Sequence, residues 1–287
     1  MNSETKGAMA IILATFFYGF YGILSRLLYN TLDLFFQFWV RSLLIALLTF
    51  FVIIIKKSWK RIDSDSLKWF VLRGIAGAFT YTMFFVAVNH LKIGTTLFIF
   101  YAALILGGYA FGLIIFKERL SRNKVMALTL SILGLSLIYS ATIGAGEMLY
   151  ILLALACGLC TSGWNTLSNK VIDKFGLNQI IFIDSSIAGA ITLIASLIKK
   201  ENWELPSLSL PWMYSLLFFG MLWSVSLLIP YGFSKVGAQK GSLLMLMEVV
   251  FTLVFAYLFF NETIDLMTIT GGTLIIAGIV LSEKNQK

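Results

Sequence analysis

From Met1 to about residue 282 the chain is a near-continuous series of apolar segments of roughly 20 residues. That length matches the roughly 30 Å of hydrocarbon a helix must cross in a bilayer. With 59% hydrophobic and 13% charged residues, the sequence has too little polar surface to face water as a soluble domain of its size. A β-barrel would show alternating segments of about ten residues, and alternation is absent, so α-helices are left to satisfy the backbone in lipid. The segments fall at 8–28, 32–55, 67–91, 95–116, 123–141, 147–169, 177–198, 210–233, 241–260 and 264–282. The first runs straight into the second without a small-residue cleavage site, which reads as a retained helix rather than a signal peptide. The longest polar connectors, 56–66 and 199–209, are too short for an extramembrane domain.

The ten segments divide into two sets of five that superimpose at an offset of 144 positions. Phe116-Lys117-Glu118 falls on Phe260-Asn261-Glu262, Lys56 and Trp59 on Lys200 and Trp203, Gly19 on Gly163, Ser42 on Ser186, and Thr129-Leu130 with Gly134 on Thr273-Leu274 with Gly278. The repeats are 1–143 and 144–287, within one integral-membrane domain. An odd number of helices per repeat turns the second upside down, and the loop charges change accordingly: Lys117-Glu118-Arg119 becomes Asn261-Glu262-Thr263. The expected fold class is therefore an all-α integral membrane protein with ten transmembrane helices in two inverted five-helix repeats. Inverted repeats imply alternating access about a site near the bilayer midplane.

Sixteen Lys and Arg residues, among them Lys56, Lys57, Lys60, Arg61, Lys117, Arg119, Lys170 and Lys174, lie on one side of this arrangement, against Arg26, Lys92, Lys199 and Lys200 on the other. The positive-inside rule then predicts a multi-pass protein of the inner or plasma membrane with both termini cytoplasmic. Topology and contact with lipid headgroups account for the net charge of +8, and nucleic acid is a poor competitor as partner.

The motif Phe116-Lys117-Glu118-Arg119-Leu120-Ser121 at the end of the fourth segment, echoed by Phe260-Asn261-Glu262-Thr263-Ile264 at the end of the ninth, resembles the EamA-type, ten-helix members of the drug/metabolite transporter superfamily. Arg41, in Phe38-Trp39-Val40-Arg41-Ser42, looks like that family's second-helix Arg, and Glu248 stands where it often has Glu-Pro. Val249 replaces the proline, and Tyr18-Gly19 replaces the usual Trp-Gly. The resemblance covers essentially the whole chain. It implies a central cavity lined by helices one to four and six to nine, with five and ten peripheral, and export of small metabolites.

An ionised side chain at the bilayer centre costs about 2.5 to 3.5 kcal/mol on insertion scales, so Arg41, Asp184 and Glu248 each need a compensating role. Arg41 and Asp184 lie at depths that let them pair across the repeat interface, either as a structural ion pair or as charged ends of a substrate site. Glu248 aligns with Leu104 and has no evident partner in the sequence, so substrate or proton binding competes with a protonated acid bonded to a neighbouring helix. Glu248 and Asp184 are the proton-coupling candidates. Arg73 is expected to snorkel to the nearby surface and His90 to anchor at the interface. Glu118 and Glu262 are expected to cap helix ends. Tyr18, Trp39, Tyr81, Tyr101, Trp164, Asn165 and Trp223 are candidate substrate contacts, since flat apolar faces beside hydrogen-bonding groups suit amphipathic ligands; the alternative for each is a lipid-facing or interfacial ring.

Cys157-Gly158-Leu159-Cys160 has a redox-like spacing but lies inside a membrane segment, where packing is the simpler role. Two cysteines and one histidine cannot assemble an ordinary metal site, and no phosphate loop or nucleophile motif occurs. The sequence thus predicts no cofactor, no metal and no enzyme. It predicts a secondary-active exporter of small metabolites, such as amino acids or related amphipathic compounds, with proton coupling and oligomeric state open. A facilitative exchanger of nucleosides or organic cations, a lipid-modifying enzyme and a non-transporting subunit are the alternatives.

Overall fold

The computed structural model describes residues 2–28, 31–139, 146–260 and 264–283. The first repeat contains α1 (Ser3–Gly19), α2 (Tyr21–Leu28), α3 (Leu34–Ile55), α4 (Ser64–His90), α5 (Ile93–Ile114) and α6 (Arg122–Ile138). The second contains α7 (Met148–Thr166), a 3₁₀ turn (Leu167–Lys170), α8 (Ile172–Phe175), α9 (Leu177–Lys199), α10 (Leu210–Val236), α11 (Ala238–Met245), α12 (Met247–Phe260) and α13 (Leu266–Glu283). Joining α1 with α2, α7 with α8 and α11 with α12 gives ten spans. Among the described residues seven spans are long and apolar enough to cross a bilayer, two of them the joined segments Met148–Lys170 and Ala238–Phe259, and α13 is a shorter apolar one. Apolar side chains such as Leu43, Leu47, Phe51, Leu216, Leu217 and Leu258 point outward, as lipid-facing surfaces require.

The repeats interlock. The five most extensive helix contacts, α3 with α9, α6 with α13, α5 with α7, α1 with α10 and α4 with α7, each join one repeat to the other. The α6–α13 contact is a backbone seam: a Cβ at Gly134 would lie 2.5 Å from the Gly271 carbonyl oxygen, and the reverse also holds. Only glycine lets two membrane helices meet so closely there. The main core lies behind it, formed by Ile11, Tyr101, Leu104, Ile105, Leu243 to Leu246 and Val249.

The loops rich in Lys and Arg gather on one face of the bundle, and they tie the repeats together. Lys174 pairs with Asp63 at 2.5 Å, and Gln179 exchanges hydrogen bonds with the Lys60 backbone at 3.0 and 2.8 Å. Lys240, almost fully buried, pairs with Glu4 at 2.8 Å. Glu118 accepts from the Ala238 and Gln239 amides at 2.6 and 3.1 Å, so its carboxylate satisfies and charge-matches the first turn of α11. Hydrogen bonding to Lys174 and to Ser66 holds the exposed Asp63 carboxyl down at about 2. On the opposite face, Glu201 accepts from the Phe35 and Phe36 amides at 3.1 and 2.7 Å and caps α3 in the same way. Each end of the α3–α9 pair is therefore fastened by the loop that follows the partner helix. Glu262 lies outside the described residues.

Candidate functional site

Where α1, α3, α4, α7, α9 and α10 converge, they enclose a cavity of about 70 Å³. Its polar lining comes from Tyr18, Arg41, Ser42, Arg73, Asn165, Asp184, Ser185 and Ser226, and Trp164, Phe38 and Ile45 supply apolar wall. Ligand sites for drug-sized molecules run to about 300–1,000 Å³, so this cavity is in a contracted state and must widen to take an organic substrate.

Asp184 is held from two sides. Arg73 Nη2 donates to its Oδ2 in a buried ion pair, and Trp164 Nε1 donates to the same oxygen at 3.0 Å. The other Arg73 terminal nitrogen, Nη1, donates to the Trp164 backbone carbonyl. Asp184 Oδ1 is buried with no hydrogen-bond partner among the described residues. An acceptor left so costs about 1–3 kcal/mol, which a bound donor would recover.

This corrects two expectations. The partner of Asp184 is Arg73, in place of Arg41, and Arg73 does not snorkel: it is 2% exposed. The reason is the length of α4, which starts at Ser64 and carries Arg73 nine residues inward, while Gly74 lets α4 press against Ile187 of α9. Arg41 Nη1 donates to Gln37 at 3.1 Å, and its guanidinium lies 4.2 Å from the Phe218 ring centroid, a desolvated cation–π contact. Two guanidiniums and one carboxylate thus line the cavity.

Pro230 also reaches the cavity. Having no N–H, it leaves the Ser226 carbonyl without its usual helical donor, so α10 offers a backbone acceptor beside the Ser226 hydroxyl. Sequence reasoning missed Arg73, Ser185, Ser226 and Pro230. The only proline within an apolar segment after its first turn was an available signal, and Ser185 directly follows Asp184.

Of the residues singled out from the sequence, Arg41, Asp184, Tyr18, Trp164 and Asn165 meet at this cavity. Tyr101 and Glu248 do not line it, and neither do α5, α11 and α12, the spans the resemblance placed around a wider chamber. These helices pack into the main core instead. Glu248 occupies the first turn of α12, just past the break at Leu246, beside Tyr101 and within electrostatic range of Tyr21 and Tyr139; Tyr18, which lines the cavity, lies within electrostatic range of Tyr101. Trp39 packs between Phe36 and Trp203, and the indole nitrogens of Trp39 and Trp223 are buried with no hydrogen-bond partner among the described residues. The Tyr81 side chain lies outside the described set. His90 is exposed at the end of α4 and stacks on Tyr150 at 4.0 Å. Cys157 is buried and bonds the Thr80 carbonyl at 3.2 Å.

Packed side chains flank the cavity toward both faces. On the side of the opposite face, Phe36, Trp39, Trp212, Phe218 and Met221 form an apolar cluster. On the lysine-rich side, Phe70 packs on Phe175, and Asn169 donates to the Phe233 carbonyl at 3.1 Å.

Comparison with known proteins matches this architecture. The pseudopaline exporter CntI of Pseudomonas aeruginosa, in strains UCBPP-PA14 and PAO1, is 22% identical over 98% of this chain and 97% of its own length. A solved crystal structure superimposes with a TM-score of 0.81 over 96% of this chain and 97% of its own at 14% identity, a likeness of fold. The pattern of the EamA-like transporter family matches twice, over residues 5–140 and 148–283. The chain is a multi-pass membrane protein and belongs to the EamA-like transporter family.

Proposed function

We propose that this protein is a secondary-active exporter of small amphipathic metabolites that carry a carboxylate, amino acids and related zwitterions among them. The observation that carries the reading is the cavity itself: two buried guanidiniums, one carboxylate with an unsatisfied oxygen, and an aromatic wall, all at the junction of inverted repeats. Arg41 would receive the carboxylate, Asp184 Oδ1 an ammonium or other donor, and Trp164 and Tyr18 the apolar body. Two guanidiniums in the lining favour an anionic group over an organic cation and give no special reason to prefer nucleosides. The relatives named as pseudopaline exporters support export as the direction.

In this reading the lysine-rich face is cytoplasmic, as the positive-inside rule favours, in the inner or plasma membrane. A ligand carboxylate competing with Asp184 for Arg73 would loosen the tie between α4 and α9 and let the packing toward one face open while the other holds. Glu248, at the break between α11 and α12 and coupled electrostatically to the cavity through Tyr101 and Tyr18, is the residue assigned to proton coupling. Asp184, already committed to Arg73, is assigned to substrate.

The test is flux in proteoliposomes loaded with a panel of radiolabelled amino acids and dicarboxylates, with and without an imposed pH gradient. Saturable counterflow of at least one carboxylate compound, lost in Arg41→Gln, is expected. Counterflow confined to organic cations, or none with any compound, would sink the proposal.

A further inference from the structure

A second cavity, of about 340 Å³, opens between the ends of α4 and α9 on the face opposite the lysine-rich loops, with Phe35 at the start of α3 as its third wall. Val86, Ala195 and Ile198 make its surface largely apolar, while Thr82, Asn89, His90 and Lys199 add polar groups. It is aligned with the central cavity along the same three helices. On α3, Phe35 precedes the cavity residue Phe38 by one turn, roughly 4.5 Å of rise. On α9, Ala195 lies two turns beyond Ala188, roughly 10.5 Å, and on α4, Thr82 lies nine residues beyond Arg73, roughly 13.5 Å. On all three helices the displacement is toward the same face.

The repeat supplies a second, independent relation. Under the 144-residue offset, Thr82 and Val86 correspond to Ser226 and Pro230, which line the central cavity. In one repeat these positions line the central cavity, on the half of α10 nearer the lysine-rich face. In the inverted repeat they border a crevice on the other side. Alternating access exchanges the conformations of equivalent surfaces, so the two linings are counterparts of one path.

We propose that this crevice is the outer vestibule of the permeation path and a second station for the carboxylate-bearing substrate, with Lys199 holding the anion at its mouth. The proposal rests on the transport reading and on the orientation given above. Lys199 is one of only four cations that the sequence places on that side, against the topological bias. A cation there gives an anion leaving Arg41 and Arg73 somewhere to pause, and apolar walls suit the rest of an amphipathic molecule. The same apolar walls would suit a lipid chain, and the experiment separates the two occupants.

Thr82→Cys and Ala195→Cys are made separately in a Cys157→Ala, Cys160→Ala background, with lipid-facing Leu47→Cys as control. Intact cells are treated from outside with the impermeant anionic reagent 2-sulfonatoethyl methanethiosulfonate and, in parallel, with its cationic trimethylammonium analogue. Both vestibule cysteines are expected to react and Leu47→Cys not to. Adding Lys199→Gln, an exposed position, is expected to lower the anionic-to-cationic rate ratio about five- to tenfold. Labelling at Thr82→Cys and Ala195→Cys only by lipid-soluble N-ethylmaleimide would show a lipid crevice and overturn the vestibule. A ratio indifferent to Lys199 would overturn the anion station. Since labelling requires no flux, a protein that labels as described yet transports nothing would remove the transport reading alone.

Discussion

Arg73 on α4 and Asp184 on α9, 111 positions apart in sequence, form an ion pair that joins the two repeats at the wall of the central cavity. The pair is 2% and 9% exposed in its side chains, so neither charge is dispersed by water. Removing one partner of such a pair costs about 3–5 kcal/mol, whereas replacing both by apolar groups is often neutral. Arg73→Met is therefore expected to lower the melting temperature in detergent sharply. Arg73→Met with Asp184→Leu is expected to restore most of it while leaving transport abolished. Equal destabilisation in the single and double variants would contradict the coupling.

Arg41 is expected to matter for ligand and little for folding. Arg41→Lys keeps the charge but loses the planar stacking on Phe218, and Arg41→Gln loses both. Thermal stabilisation by a transported carboxylate at 100 times its Kd should be about 2.7 kcal/mol in the parent. It should shrink in Arg41→Lys and vanish in Arg41→Gln, which a ligand titration followed by melting would read.

Glu248→Gln is expected to leave substrate exchange at equal pH intact and to abolish the extra accumulation driven by a pH gradient. Parallel counterflow and gradient-driven assays in the same proteoliposomes decide it. Full gradient-driven accumulation in the variant would move proton coupling to another residue.

Glu118→Gln keeps the size of the side chain that caps α11 but removes its charge and leaves one acceptor oxygen where the carboxylate offers one to each of the Ala238 and Gln239 amides. Charge-assisted bonds to helix-start amides are stronger than neutral ones, and losing that contribution is expected to cost about 1 kcal/mol. Glu118→Ala, which also leaves two amides uncapped, should cost about 2 kcal/mol. Chemical denaturation of the purified protein would rank the two.

The Asp63–Lys174 tie has a defined pH window. The folded-state carboxyl sits at about 2, below its ordinary value of 3.8, so the stabilisation it confers is fully present above about pH 4 and fades as pH falls toward 2. Asp63→Asn is therefore expected to leave the pH profile of transport between pH 5 and 8 unchanged. The pair is exposed, so high salt should remove most of the small difference in melting temperature between parent and variant.

The ten spans and their inverted duplication were legible in the sequence, because apolar length and the lysine pattern are set by the membrane and not by packing. Arg41, Asp184, Trp164 and Asn165 were recognisable for a related reason: polar groups deep in apolar segments are costly and few. The partnership of Arg73 was hidden by a boundary. Starting the third helix at 67 instead of Ser64 put Arg73 near the surface, and three residues of extra helix carry it beyond reach of water. The displacement of Tyr101 and Glu248 from the cavity follows from the packing of α5 and α12 against the main core, a relation among seven helices that no local pattern records.

The interlocking of the repeats bears on how such a chain must be assembled during synthesis. Helices of the first half have few neighbours of their own to embrace, and α6 waits for α13 to complete the Gly134–Gly271 seam. A gene divided between the halves should therefore yield two polypeptides that are each degraded when made alone and that rescue one another when made together.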